Sequence, residues 1–471
     1  MTVDNTIDLT AHLSDTAKYR FESQNASFQR YHSADPNVVS LGMGNPTPDL
    51  FAFSKFSASL AKFDVGTEKR LRYEEGTSIN LGPEESGSSV EDIEILLQYG
   101  VGTGIESLVS KLNELTTSVH NPPYQDWKVM LSAGSTDALT KVFDLFMNPH
   151  DSVFVCEWTY HNALFAFKGH LMNPIPISMD NEGMVPDALD HACTNWSLPN
   201  RPKTVYLIPT GQNPTGVSMS TERRLAIYKV CQKHNLIIIE DDPYYFLQFG
   251  NIPVVPNSEE TEEYLSLLPG ISEKLLPSLL SIDTDGRVIR LDTFSKILAP
   301  GMRLGWITCQ ANLINILRAN IDTSTCRPNG FSMGIASKLL NETWKNSGFS
   351  DHIKFMQQQY VSRRNTVLHA IQTHLGNMVS VQTPSCGMFV WIKINLPQHL
   401  ASQDGIVDRI FTKMLENKVI LVPCFHFSSK DEKLVKDIPL FRATFAFANK
   451  QQMIKAIQNL KSVLSEFGCA A

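Results

Sequence analysis

The chain has 471 residues, a length suited to two or three domain-sized units. Hydrophobic residues make up 42% and charged residues 19%, enough for a large core and too apolar for a disordered chain. The formal net charge of -7 offers no electrostatic attraction to nucleic acid or to an anionic membrane.

The first twenty residues lack a basic stretch followed by an apolar run, so no signal peptide is expected. No apolar stretch approaches the roughly 18 residues a membrane helix needs. A cytoplasmic protein is therefore expected. The glycosylation sequons at Asn25, Asn195 and Asn341 then read as chance matches. The eight cysteines are scattered singly, with no paired spacing for a metal site or disulfide framework, and read as mostly buried free thiols.

Residues 1–40 suggest a partly helical arm, and 77–92, rich in Gly, Ser and acids, a loop. Short apolar runs follow at 129–131, 153–156, 205–208, 236–239, 288–291 and 304–307. Each ends in a polar or glycine-rich turn, and helical stretches lie between. Fully apolar strands alternating with helices predict an α/β fold, a mainly parallel sheet covered by helices on both faces. One of those helices opens after Gly216, with Ser220 as its N-cap, Glu222 in its first turn and an Ile227, Val230, Cys231 stripe. Residues 251–286 read as a surface insertion. Beyond about 340, a long helical stretch and strands at 388–392, 419–422 and 442–447 predict a smaller α+β domain.

The residues with chemistry fall at the carboxyl ends of the strands, where open α/β sheets bind ligands. After 129–131 comes Gly134-Ser135-Thr136, a turn whose N–H groups and hydroxyls could cradle a phosphate; a plain N-cap by Ser135 is the alternative. After 205–208 comes Pro209 to Gly216, a rigid turn that would hold the Asn213 amide, or only a turn. After 236–239 come Glu240, Asp241 and Asp242. Three acids at the end of a buried strand are costly without a cation, unless they are simply solvated. After 288–291 come Thr293, Ser295 and Lys296, with Arg303 seven positions on, a pattern that suits a Schiff-base lysine beside a phosphate or a surface lysine in a loop.

In this order and spacing the motifs resemble those of the fold-type I, pyridoxal-phosphate-dependent class I/II aminotransferases, over about 41 to 447. Within them the chain is most similar to the fungal aromatic amino acid and 2-aminoadipate aminotransferases. The residues carrying that narrower likeness are 40–46 (SLGMGNP), 97–100 (LQYG), 240–249 and 283–306. The resemblance implies a pyridoxal 5'-phosphate enzyme with an N-terminal arm and part of the small domain over 1–95, a large cofactor-binding domain over 96–325, and a linking helix and C-terminal small domain over 326–471.

It also implies roles. Lys296 would hold the cofactor and shuttle the proton. Asp241 would pair with the pyridinium nitrogen, Asn213 and Tyr244 would hydrogen-bond the ring's 3-oxygen, and Tyr160 would stack on the ring. Ser135, Thr136, Thr293, Ser295 and Arg303 would hold the phosphate, and Tyr99 would reach the phosphate of the neighbouring subunit, making a homodimer with shared active sites. Arg442 would clamp the substrate α-carboxylate. Gly44 would line the substrate pocket, and Arg30 aligns with an arm arginine that contacts substrate. No metal is implied. The expected partners are an amino acid, aromatic or 2-aminoadipate, and a 2-oxo acid such as 2-oxoglutarate, which places the enzyme in aromatic amino acid metabolism or lysine biosynthesis. Cys386, Arg327 and Asn329 depart from residues common among relatives.

Three other readings compete with this one. Gly100-Val101-Gly102-Thr103-Gly104 is glycine-rich but lacks the dinucleotide-binding spacing. A transcription regulator with an aminotransferase-like domain would need more than the residues before the resemblance and a basic helix. Another pyridoxal-phosphate reaction, a lyase or elimination, shares the scaffold.

Overall fold

The computed structural model describes residues 6–28, 41–42, 44–63, 70–71, 77–82, 92–254, 268–272, 275–345 and 347–470. The chain forms two compact units, each built from several stretches of sequence.

The first unit holds 1–149, 237–243 and 277–351. The arm's helix, Asp15–Phe28, is held by Arg20, whose guanidinium lies 2.7 Å from Asp144. Two short antiparallel pairs follow, β1 (Phe56–Ser59) with β4 (Ser78–Leu81) and β2 (Lys62–Phe63) with β3 (Arg70–Leu71). The stretch read as a loop from 77 to 92 therefore begins with a strand. Ser78–Leu81 alternates outward and inward, burying Ile79 and Leu81, a period-two pattern too short to stand out beside the Gly, Ser and acid residues after it. Residues 83–91 lie outside the described residues.

Of a seven-stranded sheet, this unit holds β5 (Trp127–Ser132), β13 (Gly305–Gln310), β12 (Val288–Thr293) and β11 (Ile237–Asp241), in that order. β11 and β12 are parallel, whereas β13 is antiparallel to both its neighbours. Helices Glu106–Val119, Ser135–Phe146 and Ala311–Asp322 pack against these strands. Every residue of β11, β12 and β13 is buried.

The second unit holds 150–236, 244–276 and 352–471. It carries the sheet strands β10 (Thr204–Leu207), β6 (Ser152–Cys156) and β7 (Asn173–Ile177), all parallel, and the short hairpin of β8 (Met179–Asp180) and β9 (Gly183–Met184). β7 reads Asn-Pro-Ile-Pro-Ile and was not predicted. Its prolines lack the N–H a central strand must donate, and it is the last strand in the sheet order, where that lack is tolerated. Ser220 caps helix Thr221–His234, accepting from the Arg223 amide. The helix buries Arg224, Ile227, Tyr228 and Cys231. A separate antiparallel sheet has the order β14 (Val379–Val381), β15 (Phe389–Ile394), β17 (Leu440–Thr444) and β16 (Val422–Pro423). β16 spans only the end of the strand expected at 419–422.

All eight cysteines are free thiols, and only Cys326 is exposed. Among the described residues, no helix is long and apolar enough to cross a membrane.

The three acids ending β11 are sorted by the alternation of the strand. Arg290 on β12 stands beside Glu240 in register and is fully buried. Its guanidinium binds Asp292 through two bonds of 2.9 Å and reaches Glu240 at 3.1 Å and Asp242 at 3.2 Å. The Glu240 carboxylate also accepts from the amides of Leu279 and Leu280. Burial opposes the charge on Arg290, but Asp292, Glu240 and Asp242 outweigh it and raise its pKa. Asp241, between them, lies on the opposite face. Arg290→Met should lower the unfolding free energy by about 3–5 kcal/mol, because buried carboxylates lose their cation. A urea-unfolding free energy within about 1 kcal/mol of wild type would contradict this account.

Candidate active site

In the first unit, Asp241 is the last residue of β11 and 4% exposed. Thr293 ends β12, and the chain turns at once into a short helical turn, Phe294–Lys296, which sets Lys296 half-buried just past the strand. The Thr293 hydroxyl accepts from the Ser295 amide and donates to the Ser295 hydroxyl at 2.9 Å. Arg303 lies nearby, Nη1 donating to Ser295 Oγ at 3.4 Å and Nη2 to the Ala133 carbonyl at 3.2 Å. That carbonyl leads into Gly134, which caps helix Ser135–Phe146 at φ 96 with no side-chain cap. Ser135 and Thr136 open the helix, so first-turn N–H groups, hydroxyls and a guanidinium converge. A Cβ on Gly134 would come within 2.6 Å of Arg303 Nη2.

Tyr99 and Gly44 belong to the same unit, and both are exposed, Tyr99 at 66%. The Gln98 side chain donates to the Pro46 carbonyl at 2.7 Å and accepts from the Tyr99 amide at 2.9 Å. Arg327, a departure from the family pattern, donates to the carbonyls of Ile95, Leu96 and Gln98 and so caps the helix before Tyr99. Asn329, the other departure, caps helix Gly330–Lys338. Arg30 lies outside the described residues.

In the second unit, Tyr160, Asn213, Tyr244 and Arg442 come together. Arg442 projects from β17, and its Nη1 donates to Asn213 Oδ1 at 2.7 Å. Its guanidinium sits 4.6 Å from the ring centres of both Phe389 and Phe427. Tyr244 meets Phe389 edge-on at 5.7 Å. His161, packed against Tyr160 at 5.3 Å, meets Phe427 at 5.7 Å. Asn162 donates to the Tyr160 hydroxyl at 2.9 Å. Burial lowers the pKa of Arg442, opposed by Tyr244 and Tyr160. Arg442 Nε is buried and, among the described residues, has no hydrogen-bond partner. Phe389, Phe427 and His161 are not distinguishable in the sequence, since apolar and aromatic residues near a motif carry no signal apart from core residues.

Residues 77–460 match the family Aminotransferase class I and II. An aromatic amino acid aminotransferase of Schizosaccharomyces pombe is 32% identical over 98% of this chain and 99% of its own. The mitochondrial kynurenine/alpha-aminoadipate aminotransferase of Bos taurus is 30% identical over 92% of this chain and 93% of its own. The crystal structure of aminotransferase Aro8 from Candida albicans superposes with a TM-score of 0.87, at 30% identity over 98% of this chain and 99% of that one.

The chain belongs to the class I and II aminotransferases. It is a pyridoxal-phosphate-dependent transaminase with the fold-type I architecture. The residues of this aminotransferase fit that cofactor. Backbone amides, hydroxyls and the Arg303 guanidinium are the donor set a phosphate dianion requires, and Gly134 leaves room where a side chain would intrude. The orphaned Arg442 Nε adds a buried donor suited to a carboxylate.

Gly134→Ala should weaken retention of pyridoxal phosphate, because the new methyl both strains a positive φ and displaces Arg303. Strain of about 1–3 kcal/mol corresponds to about 5- to 150-fold in the dissociation constant, read by absorbance titration. Unchanged affinity would remove Gly134 and Arg303 from the phosphate site.

Proposed function

We propose that this aminotransferase moves the amino group of an aromatic amino acid or 2-aminoadipate to a 2-oxo acid such as 2-oxoglutarate. The observation that carries the reading is the buried, unsatisfied Nε of Arg442 inside a cluster of aromatic rings. A cation held by Asn213 and flanked by Phe389 and Phe427 suits an α-carboxylate whose side chain is itself a large ring. The activities named for the Schizosaccharomyces pombe and Bos taurus relatives support the same donors.

When bound, pyridoxal phosphate supplies an electron sink for the substrate Cα–H bond. The chain's residues do the rest. Ser135, Thr136, Thr293, Ser295 and Arg303 anchor the phosphate. The Asp241 carboxylate holds a proton on the ring nitrogen, and Asn213 and Tyr244 hydrogen-bond the ring's 3-oxygen. Tyr160 covers the ring face. Lys296 anchors the ring and its Nζ carries the proton to and from Cα. Gly44 lines the substrate pocket, and Arg30 pairs with a distal carboxylate. Tyr99 reaches the partner's phosphate in a cytoplasmic homodimer, whose mass sedimentation measures. The 1–95, 96–325 and 326–471 divisions are the arm with part of the small domain, the cofactor domain and the C-terminal small domain.

Borohydride reduction of the holoenzyme should fix the cofactor on Lys296, and Lys296→Ala should abolish turnover. Label on another lysine would overturn the assignment. With a panel of donors and 2-oxoglutarate, phenylalanine, tyrosine or 2-aminoadipate should be preferred to alanine. Arg442→Lys should lower kcat/KM for all of them alike, by about 10- to 150-fold for a lost charged hydrogen bond of about 1.5–3 kcal/mol. A preference for alanine would show that the donor class is wrong, and a loss confined to one donor would show that Arg442 reads side chains.

A further inference from the structure

In the second unit a cleft of about 380 Å³ lies between the β8–β9 hairpin and the antiparallel sheet. None of the residues assigned above to the cofactor or substrate lines it. Its apolar wall is Trp158, Trp391, Met179, Val217 and Leu440. The two indoles meet at 6.0 Å with their planes at 53°. Trp158 is 9% exposed, while Trp391 is half-buried and keeps surface toward the cleft.

The charged groups on this cleft are already matched, with one exception. Glu157 accepts from the Met179 amide at 2.8 Å and pairs with Lys430. Asp180 is bound by two nitrogens of Arg223, at 3.0 and 2.8 Å. Gln382 donates to the Asn181 carbonyl, and Ser380 to Asn395. Lys393 is exposed, and among the described residues no carboxylate lies within ion-pair distance of it. Lys393 follows Trp391 by two positions on β15, so both side chains leave the same face, roughly 7 Å apart along the strand. In register, Lys393 stands between Ser380 and Leu440.

An aromatic wall with one unmatched ammonium about one ring-length away selects a flat ring bearing an anionic group. An amino acid zwitterion is disfavoured, since the acids on the rim are committed to Arg223 and Lys430. We propose that this cleft is a second small-molecule site, adjoining the transamination centre through the packing of Trp391 on Phe427 but lined by none of the residues assigned to cofactor or substrate, for a planar aromatic carboxylate, with the ring on Trp391 and the carboxylate on Lys393. The proposal stands on the cleft itself and does not depend on which amino donor the enzyme prefers. Volume and lining are those of a small-ligand site, and stacking with a charge-assisted hydrogen bond supplies both orientation and affinity.

Indole-3-acetate is a suitable probe, because it has no amino or oxo group to be turned over. Calorimetry on the Arg442→Ala holoenzyme, whose substrate clamp is removed, should show one saturable site per chain. Adding Lys393→Ala should weaken that site by about tenfold, and Lys393→Arg should largely restore it. Trp391→Leu should abolish it, with the cofactor's absorbance as the check that the fold survives. Cyclohexylacetate, equally charged but not flat, should bind more weakly. Because Lys393 is exposed, its substitution leaves folding intact, and the same loss should appear in the otherwise wild-type enzyme as the disappearance of one of two binding classes. No saturable binding to the Arg442→Ala holoenzyme, or binding indifferent to both Lys393→Ala and Trp391→Leu, would overturn the proposal.

Discussion

The first unit depends on one buried arginine. β11 and β12 run through the core with no exposed residue, yet their ends carry Glu240, Asp241, Asp242 and Asp292. Four carboxylates there would drive the strands apart or take up protons, since burial disfavours each charge. Arg290 resolves this by binding Asp292 through both oxygens while reaching Glu240 and Asp242. A lysine could not do so, because its donors leave a single nitrogen and cannot fork. Strand alternation then leaves Asp241 on the face away from Arg290, at the end of β11, where open sheets bind ligands.

The second unit solves a related problem in the opposite way. Among the described residues Arg442 has no facing carboxylate: Asn213 takes one nitrogen, and the faces of Phe389 and Phe427 take the planar surface. Cation–π contact stabilises the charge without neutralising it. The remaining buried Nε is a donor left unmade, which costs stability in the free protein. Carrying that cost in advance is the ordinary sign of a site whose partner arrives from solution, and it orients the guanidinium before the partner comes.

The strands predicted from short apolar runs appear where the runs are, because a strand buried on both faces must be apolar at successive positions and little else in a chain looks like that. The exceptions have specific causes. β7 carries Pro174 and Pro176, which argue against a strand until its edge position is known. Ser78–Leu81 has only two inward residues, too few for a period to emerge. The motif residues were legible for a different reason: Lys296, Asp241, Asn213 and Arg442 are polar residues set where strands end or in a strand of the smaller sheet, and their spacing repeats that of a family. Phe389, Phe427 and His161 were not, since rings that build a site and rings that fill a core are the same residues.

By itself the sequence determined the alternation of strands and helices, the polar residues at strand ends and the family likeness, since each depends on composition or spacing along the chain. It did not reveal which acids among Glu240, Asp241 and Asp242 face Arg290, because that requires knowing that β12 lies beside β11 and in which register. Nor did it reveal the rings around Arg442, whose partners come from residues 213, 389 and 427. Lys393 likewise reads in sequence as an ordinary surface lysine on a strand. Its place beside two indoles, with no acidic partner among the described residues, exists only once β15 is set against the β8–β9 hairpin. Pattern along a chain is a local property; which charges meet, and which are left unmet, is decided by neighbours distant in sequence.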